Sequence, residues 1–216
     1  MRMTMTQSQK RKRRSSDESN FEGNTERRFF NFKEFRTEKD EKGIKNIVGH
    51  AAVFNIITDI GGWFREQVSP GAFTKTIKED DIRALFNHEP NYILGRNKSK
   101  TLELQEDEVG LAIKIFPADT SYTRDLVISI ERGDISQMSF SFNAIVTEWI
   151  VEKDKTDLRI LKEVKLLDVS PVTFAAYEDA DVALRSHTQW RESISRPPEF
   201  IRNTLLGKEI DLLEIG

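Results

Sequence analysis

The sequence predicts a β-rich α+β domain, mostly antiparallel sheet with two or three helices. The prediction rests on short segments that alternate apolar and polar residues with period two, on the turn residues between them, and on a few stretches with helical spacing. The chain has 216 residues, 38% of them hydrophobic and 32% charged. That is enough for one ordinary domain with appendages and a heavily charged surface. There is no cysteine, which excludes disulfides, thiolate zinc sites, iron–sulfur clusters and a cysteine nucleophile. Such a chain must hold itself by burial, which suits a reducing cytosol.

Residues 1–26 read as a disordered basic arm. Lys10-Arg11-Lys12-Arg13-Arg14 precedes Ser15-Ser16-Asp17-Glu18-Ser19-Asn20, and this stretch has too little apolar surface to offset its ordering entropy. So short a basic patch is a weak nucleic-acid signal, and a net charge of −3 adds no bias toward nucleic acid or an anionic membrane. No hydrophobic segment stands behind the basic residues, so the start of the chain does not read as a secretory signal. No apolar run approaches the roughly 20 residues that span a bilayer.

The globular pattern starts near residue 27. Phe29, Phe30, Phe32 and Phe35 open a strand, and Ile44 to Phe54 is its expected antiparallel partner across Glu41-Lys42-Gly43. Trp63 to Val68 is a short strand. Ser69-Pro70 reads as a helix start, with Ser as N-cap, Pro at the first position, and Phe73 and Ile77 one turn apart on the buried face. Ile82 to Phe86 is a compact apolar strand stopped by Asn87-His88-Glu89-Pro90. Thr101 to Leu104 and Gly110 to Ile115 form a hairpin joined by Gln105-Glu106-Asp107-Glu108. Tyr122, Leu126 and Ile130 are spaced as on a helix that Gly133 would end. Ile135 to Val146 and Arg159 to Phe174 are the last strands, with a turn around Lys153 to Asp157. After Arg185 the pattern fades through Pro197-Pro198, and Phe200 to Ile215 reads as a short helix. The folded domain is therefore expected at residues 27–186, and residues 187–216 read as a linker and C-terminal appendage.

Little chemistry is open to this sequence. His50, His88 and His187 are its three histidines, too few and too scattered for a histidine metal site. No Gly-rich phosphate loop or dinucleotide fingerprint is present, so no cofactor is expected. His88 sits just past a strand, in a turn where a rigid scaffold can present a reactive group; by itself it also reads as a surface turn residue. Ser139 and Ser141 lie opposite Met138, Phe140 and Phe142 on their strand, which by itself is the polar face of an amphipathic strand. Asp168 stands among Leu166, Leu167, Val169 and Val172, where a carboxylate must reach solvent or find a partner. Glu163 is the competing acid, but Lys162 and Lys165 stand beside it. Together His88, Ser139 and Asp168 have the residue types of a serine nucleophile, its base and an acid that orients the base. A Gly-x-Ser-x-Gly elbow is absent, which argues against an α/β-hydrolase. A metal-dependent hydrolase using His88 and Glu89 is a minor alternative.

Several motifs then occur in order. Gly49-His50-Ala51-Ala52-Val53-Phe54-Asn55 and Phe64-Arg65-Glu66, leading to Pro70-Gly71-Ala72-Phe73, resemble the opening of the prohead maturation proteases of tailed bacteriophages. Leu85-Phe86-Asn87-His88-Glu89-Pro90 with Leu94-Gly95-Arg96 resembles the family's histidine motif, and Met138-Ser139-Phe140 its serine motif. Leu167-Asp168-Val169-Ser170-Pro171-Val172-Thr173-Phe174-Ala175-Ala176-Tyr177 resembles its closing motif. The resemblance implies a barrel-like sheet core wrapped by helices, similar to the herpesvirus assemblins, and a serine endopeptidase. It further implies action inside the immature capsid in the host cytoplasm, on scaffold, on the extension of the major capsid protein and on the enzyme itself. By position His88 would be the base and Ser139 the nucleophile, with Ser141 next in line. Asp168 takes the place before Val-Ser, whereas assemblins use a second histidine. Assemblin-like enzymes often self-associate, so the resemblance leaves room for an oligomer. The resemblance does not assign the oxyanion-hole donors, for which the loop after Phe174 is one option. The competing reading is a non-catalytic capsid assembly module of the same fold.

Overall fold

Eleven strands, more than the eight segments read from the sequence, and three α-helices lie among residues 25–31, 35–39, 45–151, 156–174 and 180–195, which the computed structural model describes; Thr58–Ile60, inside an expected loop, and Glu89–Arg96, which opens on the expected strand stop, are both strands. The basic arm, the turn at 41–44, most of the turn at 153–157 and the expected C-terminal helix lie outside the described residues.

The strands are β1 (Glu26–Asn31), β2 (Arg36–Lys39), β3 (Lys45–Val53), β4 (Thr58–Ile60), β5 (Phe64–Val68), β6 (Arg83–Phe86), β7 (Glu89–Arg96), β8 (Leu102–Glu106), β9 (Gly110–Ile115), β10 (Gln137–Ile150) and β11 (Leu158–Val172). The helices are α1 (Thr76–Glu79), α2 (Ser121–Arg132) and α3 (Ala180–Ser195). One sheet runs β1-β10-β11-β5-β4, with β6 also on β11 and β7 on β6; the other runs β2-β3-β9-β8. Most pairs are antiparallel, and β5 and β6 lie parallel to β11.

The core fills the space between the sheets. Phe140, Phe142, Leu161, Val164, Leu166 and Val169 of the first meet Ile47, Leu111, Ile113 and Ile115 of the second. Each fully buried side chain of this size contributes about 1.5–3 kcal/mol. The first sheet also curls. Neighbouring strands lie about 4.8 Å apart, so a flat sheet would set β1 and β5 roughly 14 Å apart across β10 and β11. Instead Arg28 Nε of β1 lies 2.6 Å from Glu66 Oε1 of β5. Both sheets remain open, with β1 and β4 at the ends of the first path and β2 and β8 at the ends of the second.

Three other local expectations change. The phenylalanine-rich strand is really two. β1 pairs with β10, Phe29 opposite Ser139, and only β2 pairs with β3. Periodicity identifies a strand but not its partner. The helix expected from Ser69-Pro70 shrinks to the single turn α1, because Gly71 is left-handed (φ 89°) and the chain turns through Ala72 N–H to Ser69 O and Thr74 N–H to Gly71 O. Phe73 is still buried. Finally, the stretch after Arg185 is helical: α3 continues to Ser195, across the expected edge at 186. A second compact unit begins at Ala183, and within it the His187 ring stacks on Trp190. Helix α2 is as expected, with a Thr120 capping box and left-handed Gly133 at its end.

Candidate active site

The β10–β11 ladder sets the floor of the site. Ser139 is paired with Ser170, and Ser141 with Asp168. Directly opposed residues share a face with their Cβ atoms about 5 Å apart, so three hydroxyls and one carboxylate are gathered before any side chain is placed. Leu167 is an extra residue between the pairs Ser141–Asp168 and Phe142–Leu166, a bulge of the kind that re-aims side chains beside active sites. The face of Met138, Phe140 and Phe142 is buried as expected. The serine face is not a solvated one: Ser139 and Ser141 are 5% and 3% exposed.

His88 arrives from the other side. It is the second residue of the two-residue β6–β7 turn, in which Phe86 pairs with Glu89. Asn87 and His88 both have positive φ, 54° and 57°, the arrangement whose twist matches that of its strands. Asn suits this region and His is tolerated there. The turn is fastened to the end of β11. Asn87 N–H donates to Pro171 O (3.0 Å), Thr173 N–H donates to Asn87 Oδ1 (2.8 Å), and Asn87 Nδ2 donates to Thr173 Oγ1 (3.1 Å).

The histidine ring lies between serine and carboxylate. Its Nδ1 is 2.6 Å from Asp168 Oδ1 and its Nε2 is 2.7 Å from Ser139 Oγ. A carboxylate at Nδ1 places the ring proton there and leaves Nε2 free to accept. The Ser139 hydroxyl also has Arg28 O within 3.0 Å, so its proton has two acceptors in reach. Ser141 Oγ donates to Asp168 Oδ2 (2.7 Å) and Ser170 Oγ to Asp168 Oδ1 (2.8 Å). Burial alone would push the Asp168 carboxyl up. The hydrogen bond and charge of His88, then the two serine hydroxyls, outweigh burial and hold it below its ordinary value.

The structure thus brings together His88, Ser139 and Asp168, the residues singled out in the sequence. It adds Ser170, which the sequence reading did not pick, although its i+2 spacing from Asp168 puts both on one strand face. Glu163, the rival acid, pairs with Lys75 (2.9 Å). Glu89 accepts from Asn91 Nδ2 (2.8 Å). His50 meets Asp107 (2.8 Å) on the other sheet, and Asp107 accepts from Val109 and Gly110 N–H, which ties the β8–β9 turn to β3. The loop after Phe174, an option for oxyanion donors, lies outside the described residues.

A family described as caudovirus prohead serine protease matches residues 33–193. The chain belongs to this family. It is a serine endopeptidase of phage capsid maturation. Among solved structures it is similar to the bacteriophage T4 capsid assembly protease, at 11% identity and a TM-score of 0.41, over 68% of this chain and 98% of that chain. No curated protein matches the prohead protease chain.

Proposed function

We propose that this prohead protease cleaves scaffold protein or the extension of the major capsid protein, and trims itself, inside the immature capsid in the host cytoplasm. Ser139 is the nucleophile, His88 the general base and Asp168 the orienting acid. The observation that carries the reading is the unbroken chain from Asp168 Oδ1 through both His88 nitrogens to Ser139 Oγ, with contacts of 2.6 and 2.7 Å.

Such a chain performs acyl transfer. Ser139 Oγ attacks the scissile carbonyl as its proton passes to His88 Nε2. Asp168 holds the imidazolium that forms and keeps Nδ1 protonated. His88 then returns the proton to the leaving amine, and a water activated by the same nitrogen hydrolyses the acyl-enzyme. Arg28 O, 3.0 Å from Ser139 Oγ, competes with Nε2 for the hydroxyl proton. The basic arm before residue 27 and the region after residue 186 are the proposed places of self-trimming, as the resemblance to the family implies.

The test is co-expression of the protease with its capsid protein, followed by N-terminal sequencing of both products. Ser139→Ala is expected to remove processing of both, a loss of about 10³-fold or more, with the thermal midpoint kept. Normal processing by Ser139→Ala would overturn the assignment of the nucleophile.

A further inference from the structure

One buried hydroxyl touches both halves of the site without lying in the chain from acid to nucleophile. Ser170 is fully buried on β11. Its Oγ donates to Asp168 Oδ1, the oxygen that also faces His88 Nδ1. The same Oγ accepts the backbone N–H of His88 at 3.3 Å. A hydroxyl has one proton and two lone pairs, so both bonds coexist. Ser170 therefore grips the carboxylate with its proton and the histidine main chain with a lone pair.

We propose that Ser170 is a positioning residue, which locks the Asp168 carboxylate and the left-handed His88 turn to one another so that the imidazole is presented to Ser139 at a fixed angle. This rests on the roles given above to His88, Ser139 and Asp168. Two anchors hold the turn against β11. Asn87 fixes its first residue to Pro171 and Thr173, and Ser170 fixes its second. Without the Ser170 hydroxyl, the His88 N–H loses its acceptor and Asp168 Oδ1 loses a donor. Ser141 alone then restrains the other oxygen, Oδ2, and the carboxylate is free to turn about it. The carboxylate's charge also falls more fully on the His88 ring, so the protonated ring is held more tightly. Other charged groups stand near this place. Arg83 on β6, in register with Asp168, bonds Asp81. Glu89 on β7 accepts from Asn91. Arg27 on β1 is in register with Ser141.

The test reads the nucleophile directly, using the full chain and diisopropyl fluorophosphate. Ser139 Oγ bonds to phosphorus, fluoride leaves, and the hydroxyl proton passes to His88. The labelling rate is measured against pH, and the labelled residue is found by peptide mass spectrometry. Ser170→Ala is expected to label at Ser139 roughly 10- to 100-fold more slowly, the scale of one hydrogen bond to a charged group. The acid limb of its rate profile should move to higher pH, which a loss of packing alone would not produce. Ser170→Cys, which fills the site with a somewhat larger atom and gives up a strong donor, should behave like the alanine variant. Either variant, folded by its melting curve, with the parent's rate or an unmoved acid limb would overturn the role of Ser170. A parent that does not label, or a Ser139→Ala variant that labels at Ser141, would instead overturn the nucleophile itself.

Discussion

The imidazole of His88 stands on a backbone conformation that costs a non-glycine residue about 1–2 kcal/mol, and the bonds from Asn87, Thr173, Pro171 and Ser170 over-determine it. Placement at this scale is therefore a matter of hydrogen bonds as much as of residue type. Asp168→Asn keeps the side-chain shape but puts an amide where two serine hydroxyls and an imidazole N–H all donate. We expect capsid-protein cleavage to fall about 10⁴-fold, with the fold kept, whereas Glu163→Gln, on the surface beside Lys75, leaves the rate unchanged. Equal losses in the two variants, measured as kcat on the same substrate, would reverse the choice of acid. His88 and Asp168 were legible in the sequence because each breaks its local pattern, one in a turn and one in an apolar strand. Ser139 and Ser141 were not separable, since alternation gives both the same face. The ladder separates them by putting Ser141 opposite the acid and Ser139 opposite Ser170.

The charged side chains that join β1, β5 and β11 have a consequence for the elements themselves. Arg28 and Glu26 of β1, Glu66 of β5 and Arg159 of β11 form a buried network. Arg159 bonds both glutamates, and Arg28 does the same. Burial alone would push the Glu66 carboxyl up, but Arg159 and then Arg28 hold it below its usual value. Arg159 also lies over the rings of Phe64 and Trp149. Removing one member leaves an uncompensated buried charge, so Arg159→Met should cost about 3–5 kcal/mol, read as a lower urea midpoint. Adding Glu66→Leu should restore much of it. A small loss in the single variant would show that water reaches the cluster. Nothing in the sequence marked these four residues as one network, because Glu26 and Arg159 stand 133 positions apart and no short window holds the two together. The strands that carry them were legible from alternation, but their partners were not. The helix after Ser69-Pro70 failed because a good start signal was followed by Gly71, whose left-handed backbone turns the chain away.

For the molecule as a whole, the depressed carboxylates predict acid sensitivity. Asp168, Glu66 and Asp107 all have folded-state values below their ordinary ones. A group of this kind stabilises the fold above its unfolded value, about 3.9 for Asp and 4.3 for Glu. That contribution is lost as pH falls through the folded value. The urea midpoint should therefore be level near neutrality and fall steadily below about pH 4. A midpoint that stays level down to pH 3 would mean that these groups are solvated. At this scale the sequence by itself determined the class of fold, the motifs of the family and the residue types of the site, because alternation, turn chemistry and short motifs are local properties of a chain. Only the tertiary structure decided which serine meets the imidazole, that a third serine bonds both Asp168 and the His88 main chain, and that four charges lie hidden between strands. Those facts depend on ladder register and sheet curvature, which sum interactions across more than a hundred residues and leave no trace in any short window.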